Sequence, residues 1–169
     1  MRIQEEWICN KSLASQARHI SWILLSLALF VPSLALGQCQ QAELIASDAE
    51  ADDRWGTDVA IHGTTAVVGA PFDDDLGAEA GAAWVYTFDG VSWVALTKLL
   101  ASDGATLDKF GESVAIANDT IIVGARGNDD IHVNAGSAYI FRFNGATWVE
   151  EQKLTASDAA FEDRFGFEV

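Results

Sequence analysis

Cysteine and basic residues are scarce in this chain of 169 residues, and each shortage argues against a class of protein. Of the two cysteines, only Cys39 follows the N-terminal leader described below, so the rest of the chain has neither an internal disulfide nor a cysteine metal site. The ten Lys and Arg residues face 25 Asp and Glu residues, which gives a net charge of −15. Nucleic-acid binding needs basic patches that neutralise phosphates, so nucleic acid is not an expected partner.

The first 37 residues have the layout of a secretory signal peptide. An apolar run from Ile20 to Val31 is broken by Pro32, and Ala35-Leu36-Gly37 forms a small-x-small site that predicts cleavage before Gln38. The run is shorter than the roughly 20 apolar residues of a membrane span, although an uncleaved anchor remains the alternative. Gln38 stands where lipidation of Cys39 would need a small residue, which disfavours a lipoprotein. We therefore expect an exported protein (secreted, at the cell surface or periplasmic) without a stable membrane span after signal cleavage.

The rest of the chain repeats itself with a period of 55 residues. Ala46-Ser47-Asp48 returns as Ala101-Ser102-Asp103 and again as Ala156-Ser157-Asp158, and residues 44–98 and 99–153 share 23 identities in 55 positions. A fixed period indicates a repeat architecture, in which each unit buries its apolar face against its neighbour. The predicted division is a signal peptide at 1–37, a short N-terminal segment at 38–43, repeat 1 at 44–98, repeat 2 at 99–153 and the start of a truncated repeat 3 at 154–169.

Each complete unit predicts four short strands. Asp89-Gly90 and Asn144-Gly145 are strong hairpin signals between the third and fourth strands. Four strands in about 50 residues is the size of a propeller blade, whereas a parallel β-helix needs a much shorter coil. The sequence therefore predicts an all-β fold with two four-stranded antiparallel β-propeller blades and the start of a third. The predicted strands are 57–62, 65–70, 83–88 and 93–99 in repeat 1, and 112–117, 120–125, 138–143 and 148–154 in repeat 2.

Aromatic, glycine and alanine residues recur at fixed places in the units. We interpret them as structural, with an aromatic ring wedged between blades and glycine where two backbones approach closely. The recurring residues are Trp55, Gly56, Gly69, Ala70 and Pro71 in repeat 1, Phe110, Gly111, Gly124 and Ala125 in repeat 2, and Phe165 and Gly166 in repeat 3. They resemble FG-GAP repeats, which build the seven-bladed propeller of integrin α subunits and occur in many bacterial surface and secreted proteins.

The resemblance covers residues 44–169, with two departures. Arg126 stands where repeat 1 has Pro71. A propeller closes with typically about four to eight blades, whereas two units and a start are present. We therefore expect an incomplete propeller that needs further blades or further copies, and a chain that is the N-terminal piece of a longer protein or a truncated gene product.

Acidic loops follow the second strand of both units. Ca²⁺ takes six to eight oxygen ligands, which loops supply from alternate positions. The resemblance also implies calcium, since integrin-type loops of this family bind it with alternating aspartates. Gly77 and His132 interrupt that pattern, and the alternative is a solvated turn whose Asp side chains accept backbone hydrogen bonds. The candidate ligands are Asp73, Asp75 and Glu79 in the first loop, and Asn128, Asp130 and Asn134 in the second.

Other acidic residues receive structural interpretations. Asp48, Asp103 and Asp158 follow Ser in the connections between repeats, where a turn role is expected. Three Asp-Arg or Asp-Lys pairs precede the aromatic-glycine motif and are predicted to be surface ion pairs, worth about 1 kcal/mol or less each. These pairs are Asp53-Arg54, Asp108-Lys109 and Asp163-Arg164.

No catalytic motif is recognised. The chain has no Gly-x-Ser-x-Gly elbow, no His-Glu-x-x-His and no phosphate-cradling glycine loop, so we expect no enzymatic activity. The favoured function is a binding or adhesion scaffold for an extracellular protein or glycan, with calcium stabilisation as an optional part. Two alternatives remain: an accessory or catalytic propeller of a larger extracellular enzyme directed at polysaccharides, and a non-functional truncated fragment.

Overall fold

The computed structural model describes residues 2–3, 42–44, 46, 48, 50 and 52–169. Almost all of the predicted signal peptide, its cleavage site and Cys39 lie outside the described residues. Strands β1 (Arg2–Ile3) and β2 (Ala42–Glu43) pair antiparallel within the unit Met1–Leu44. The unit Ile45–Val169 contains the repeats. Within the described residues, no helix is long and apolar enough to span a membrane.

The repeats form two four-stranded sheets in which each strand pairs antiparallel with its neighbour in sequence. This confirms the predicted all-β fold with two blades, and neither sheet is closed. We call the sheets blade 1 and blade 2. Blade 1 consists of β3 (Val59–His62), β4 (Thr65–Ala70), β5 (Ala82–Phe88) and β6 (Trp93–Leu99), and blade 2 of β7 (Phe110–Ala117), β8 (Thr120–Ala125), β9 (Ser137–Phe143) and β10 (Trp148–Leu154).

Turn residues set the boundaries of these strands. Gly63 and Asn118 adopt φ of 59° and 53° between the first and second strands, a conformation that both residue types tolerate. The hairpins after β5 and β9 turn through Gly90 and Gly145, with φ of 100° and 95°. Strand β7 begins two residues earlier than predicted, because Phe110 pairs with Ala125 before the register shifts.

One apolar core is shared by the two blades. Phe110 is fully buried, and its ring meets Tyr139 and Phe141 edge-on at centroid distances of 5.4 and 5.9 Å, a geometry that aromatic pairs favour. Side chains of both sheets therefore stabilise one another, as expected of stacked repeat units. The cluster includes Val67, Val85 and Leu99 from blade 1, Ala101 from the connection between the blades, and Val114, Ile121, Val123 and Tyr139 from blade 2.

Glycines let the blade backbones approach closely. A Cβ added to Gly69 would lie 2.0 Å from the carbonyl oxygen of Gly111, and one added to Gly111 would lie 2.1 Å from that of Ala82. Only glycine fits such contacts, so the aromatic-glycine motif of repeat 2 docks on β4 and β5. The same junction recurs one repeat later, where a Cβ on Gly124 would lie 1.9 Å from the carbonyl oxygen of Gly166.

The far face of blade 2 is only partly covered. In blade 1, Val67, Val85 and Leu99 are buried because blade 2 packs over them. Their counterparts 55 residues later are half-buried: Ile122, Ile140 and Leu154. The start of repeat 3 contacts this sheet, with Phe165 bridging Gly136. We call the surface formed by Ile122, Ile140 and Leu154 the open face.

The junction predicts that Gly69→Ala destabilises the protein by about 2 kcal/mol, because the new methyl group overpacks a backbone contact. Chemical denaturation measures the effect. Gly63→Asn is the control, since Gly63 has no heavy atom within 4 Å of its Cβ position and Asn118 adopts nearly the same positive φ at the equivalent place in repeat 2. Equal stability of the two variants would contradict this account of the junction.

Candidate functional site

Three aspartates of blade 1 surround the ammonium group of Lys98. The Nζ atom lies 2.6 Å from Asp73 Oδ2, 2.6 Å from Asp75 Oδ2 and 3.0 Å from Asp48 Oδ2. The lysine comes from β6, while Asp73 and Asp75 belong to the loop after β4 and Asp48 precedes the blade. Lys98 therefore ties together three segments that are distant in sequence, and we call this group the lysine cluster.

The lysine cluster is partly shielded from water. The side chains of Lys98 and Asp73 are 12% and 6% exposed, whereas those of Asp48 and Asp75 are about half exposed. Burial opposes the charged form of Lys98, but hydrogen bonds to Asp73, Asp75 and Asp48 outweigh it and raise the pKa of the ammonium group. A lysine pKa raised by folding stabilises the folded state below the unfolded pKa, and this contribution is lost as the pH rises through the folded value.

Repeat 2 contains a smaller version of the lysine cluster, with two aspartates in place of three. Lys153 Nζ lies 2.7 Å from Asp103 Oδ2 and also binds Asp130. The hydroxyl group of Tyr139 donates a hydrogen bond of 2.8 Å to Asp103. Burial raises the pKa of Asp103, but the hydrogen bonds from Lys153 and Tyr139 outweigh it, so the pKa is lowered overall. The stabilisation from Asp103 is present above its unfolded pKa and is lost as the pH falls through the folded value.

The remaining candidate ligands lie apart from the two lysines. Glu79 Oε2 is 3.3 Å from Lys109 Nζ. Asn128 is buried, donates to Asp108 at 3.2 Å and accepts from the hydroxyl group of Ser137 at 2.8 Å. Asn134 accepts a hydrogen bond at its backbone carbonyl from Arg164. The structure therefore brings together Asp73 and Asp75, but not the three predicted ligands of either loop.

The donor set of the first loop fits Ca²⁺ poorly while Lys98 is in place. One carboxylate oxygen each from Asp48, Asp73 and Asp75 lies within 4.8 Å of the others. Three such oxygens fall short of the six to eight that Ca²⁺ takes. The ammonium group already neutralises part of the carboxylate charge, so a divalent ion would have to displace it.

The predicted surface ion pairs before each aromatic-glycine motif are wrong. Asp108 is only 1% exposed, and its Oδ2 accepts hydrogen bonds from the Ala105 amide and from Asn128. Asp53 and Asp163 likewise accept from the backbone amide three residues earlier. Burial raises the pKa of Asp108. These aspartates close turns, because a carboxylate oxygen can satisfy a backbone amide locally.

The roles of Lys98 and Lys153 were missed from the sequence. Both lysines occur in the recurring Lys-Leu-x-Ala-Ser-Asp segment, and their 55-residue spacing was the available signal. Asp48 and Asp103, interpreted as turn residues, are partners of these lysines. The pairing joins residues 50 positions apart, so it becomes visible only after the blade is folded.

A family model described as FG-GAP repeat matches residues 39–86, 93–141 and 148–169. These segments cover most of the chain, which therefore belongs to the FG-GAP repeat family, as the sequence motifs predicted. The second and third matches begin where β6 and β10 begin. The second match thus joins the last strand of blade 1 to most of blade 2. Residues of both parts belong to the same apolar core. Among curated proteins, a sequence search finds no match.

The lysine cluster predicts that Ca²⁺ leaves the melting temperature of the wild-type protein unchanged. Lys98→Met should cost about 3 kcal/mol, because it leaves the buried carboxylate of Asp73 without its partner. Ca²⁺ should then restore part of that stability, as followed by thermal melting with Ca²⁺ and with EDTA.

Lys153→Met is the matched control, because it frees only Asp103 and Asp130 and should gain less from Ca²⁺. A wild-type melting temperature that rises with Ca²⁺ and falls with EDTA would contradict the prediction that the Lys98 ammonium group keeps Ca²⁺ out, and would support a native calcium site.

Proposed function

We propose that this chain is a segment of an exported β-propeller that acts as a non-enzymatic binding or adhesion scaffold. The observation that carries the proposal is the open face of blade 2. Ile122, Ile140 and Leu154 are half-buried, at positions where blade 1 is buried by its neighbour. Repeat proteins bury such faces by stacking another unit. A further blade, from additional repeats or from another copy, would complete the same packing.

An extracellular location is part of the proposal. FG-GAP repeats are typical of extracellular proteins, the N-terminal residues have the layout of a signal peptide, and a net charge of −15 favours solubility outside the cell. These features support the bacterial secreted or surface type of FG-GAP protein. Propellers host unrelated activities, so the fold alone does not name a ligand. An extracellular protein or glycan is the proposed partner class.

In this proposal the lysines, rather than a metal, neutralise the acidic loops. Lys98 and Lys153 each bridge the connection before a blade to the loop after its second strand. Such pairs hold the blade edges in register without an external cofactor. Ca²⁺ is the alternative occupant of the first loop, which the Lys98→Met comparison distinguishes.

The open face predicts that the exported protein self-associates. Protein collected from the exported fraction is first checked by intact mass for an N-terminus at Gln38. Analytical ultracentrifugation at rising concentration then measures association. Ile140→Asp should weaken association roughly tenfold or more, because it would bury a carboxylate without a partner.

Val149→Asp is the control, because Val149 is already 47% exposed on β10. The variants must keep their cooperative melts. A wild-type protein that stays monomeric at all concentrations, or that associates as strongly with Ile140→Asp, would overturn the proposed role of the open face. An intact mass that retains the leader would contradict the predicted cleavage.

A further inference from the structure

A cavity of about 190 Å³ lies between repeat 2 and the start of repeat 3. Three of the chain's ten basic residues line it, and the lining contains no carboxylate, although acidic residues outnumber basic ones by 25 to 10 over the whole chain. Carboxylates outside the lining pair with two of these cations, Lys109 with Glu79 and Arg126 with Glu112, whereas no such pair is formed by Arg164 among the described residues. We call the cavity the basic pocket, and its lining residues are Leu107, Lys109, Arg126, Gly127, Asn134 and Arg164.

At the equivalent place in repeat 1, a side chain fills the space and a carboxylate neutralises a neighbouring cation. Phe72 stands 55 residues before Gly127, and its ring lies 4.0 Å from the guanidinium carbon of Arg54 and 5.0 Å from Lys109 Nζ. Glu79, 55 residues before Asn134, pairs with Lys109 at 3.3 Å. An aromatic ring and a carboxylate thus occupy the space beside the cations, as cation–π and ion-pair contacts favour.

Repeat 2 lacks both of these elements. Gly127 supplies no ring, and none can be added there, because a Cβ would lie 2.0 Å from the Leu107 carbonyl oxygen. Asn134 supplies no negative charge. Arg164, the counterpart of Lys109, therefore has no carboxylate within 4.0 Å among the described residues.

A third cation is added at the same place. Arg126 replaces Pro71 of repeat 1. Its Nε lies 3.2 Å from Glu112 Oε1 but makes no well-aligned hydrogen bond with a described residue. The charge of Arg126 is balanced by Glu112, which stands where repeat 1 has Thr57. Compared with repeat 1, the pocket has thus lost a ring and a negative charge, and both losses leave space and an unneutralised Arg164 for an anionic ligand.

We propose that the basic pocket binds a small oxyanion group: a phosphate, a sulfate or a carboxylate. Guanidinium groups present paired donors that match the oxygens of such groups. The pocket volume of about 190 Å³ is well above the roughly 10–15 Å³ of accessible space that one water molecule needs, so a small oxyanion fits. The negative charge of the ligand would take the place that the carboxylate of Glu79 has beside Lys109 in repeat 1. The inference rests on residues 107–164 and is independent of the number of blades and of self-association.

The test is a titration of the full exported chain with inorganic phosphate, sulfate and acetate, each against chloride at equal ionic strength. Amide resonances of residues 127, 134 and 164 in ¹⁵N-labelled protein report binding. Saturable shifts of these amides support the pocket. Saturable shifts with phosphate and sulfate but not with acetate would identify the ligand class as tetrahedral anions. Saturable shifts with acetate as well would include carboxylates among the ligands.

Three variants test the named groups. Arg164→Gln and Arg126→Gln should each weaken binding roughly tenfold or more, because each removes charged hydrogen bonds to the ligand. Asn134→Glu should abolish binding by restoring the carboxylate of repeat 1. The protein should tolerate this glutamate, since Glu79 adopts φ of 54° and Asn134 a φ of 51°.

Arg54→Gln is the matched control, because it removes the same charge at the filled position of repeat 1 and should leave anion affinity unchanged. Circular dichroism melts confirm that each variant is folded. The proposal is overturned if no anion gives saturable shifts at these amides, or if folded Asn134→Glu binds as tightly as the wild type.

Discussion

The close contact between blade backbones is the constraint on which the rest of the structure depends. Gly69, Gly111 and Ala82 meet at distances that leave no space for a Cβ on either glycine. This contact places Phe110 against the apolar face of blade 1, where its ring joins the core with Tyr139 and Phe141. Because each blade supplies one side of the core, neither buries its apolar residues alone.

Repetition at this junction fixes the backbone while leaving the loops between strands free to diverge. Both blades keep a lysine that bridges to aspartates, yet Asp73 of the lysine cluster is replaced by Asn128, which turns toward Asp108 instead. The exchange of Phe72 for Gly127 similarly opens a pocket on an otherwise equivalent scaffold. The two repeats thus share a backbone scaffold and differ in the loops that present polar and charged side chains.

The sequence predicted the blades well because hairpin signals and the 55-residue period are local or regular features. The strands β4, β6, β8 and β10 have their predicted bounds. The site was harder to predict, because Lys98 meets Asp48 and Asp75 across 50 and 23 residues. Asp108 was misjudged for a related reason: its charge suggested the surface, whereas its carboxylate is buried and closes a turn.

Native-state hydrogen exchange tests most directly whether the two blades form one packed unit. The amides of β4 and β8 report the opening of blade 1 and blade 2, respectively. Because the blades share one core, both sets should exchange with the same opening free energy and the same denaturant dependence. Exchange of the β4 amides through an opening that leaves the β8 amides protected would contradict the account.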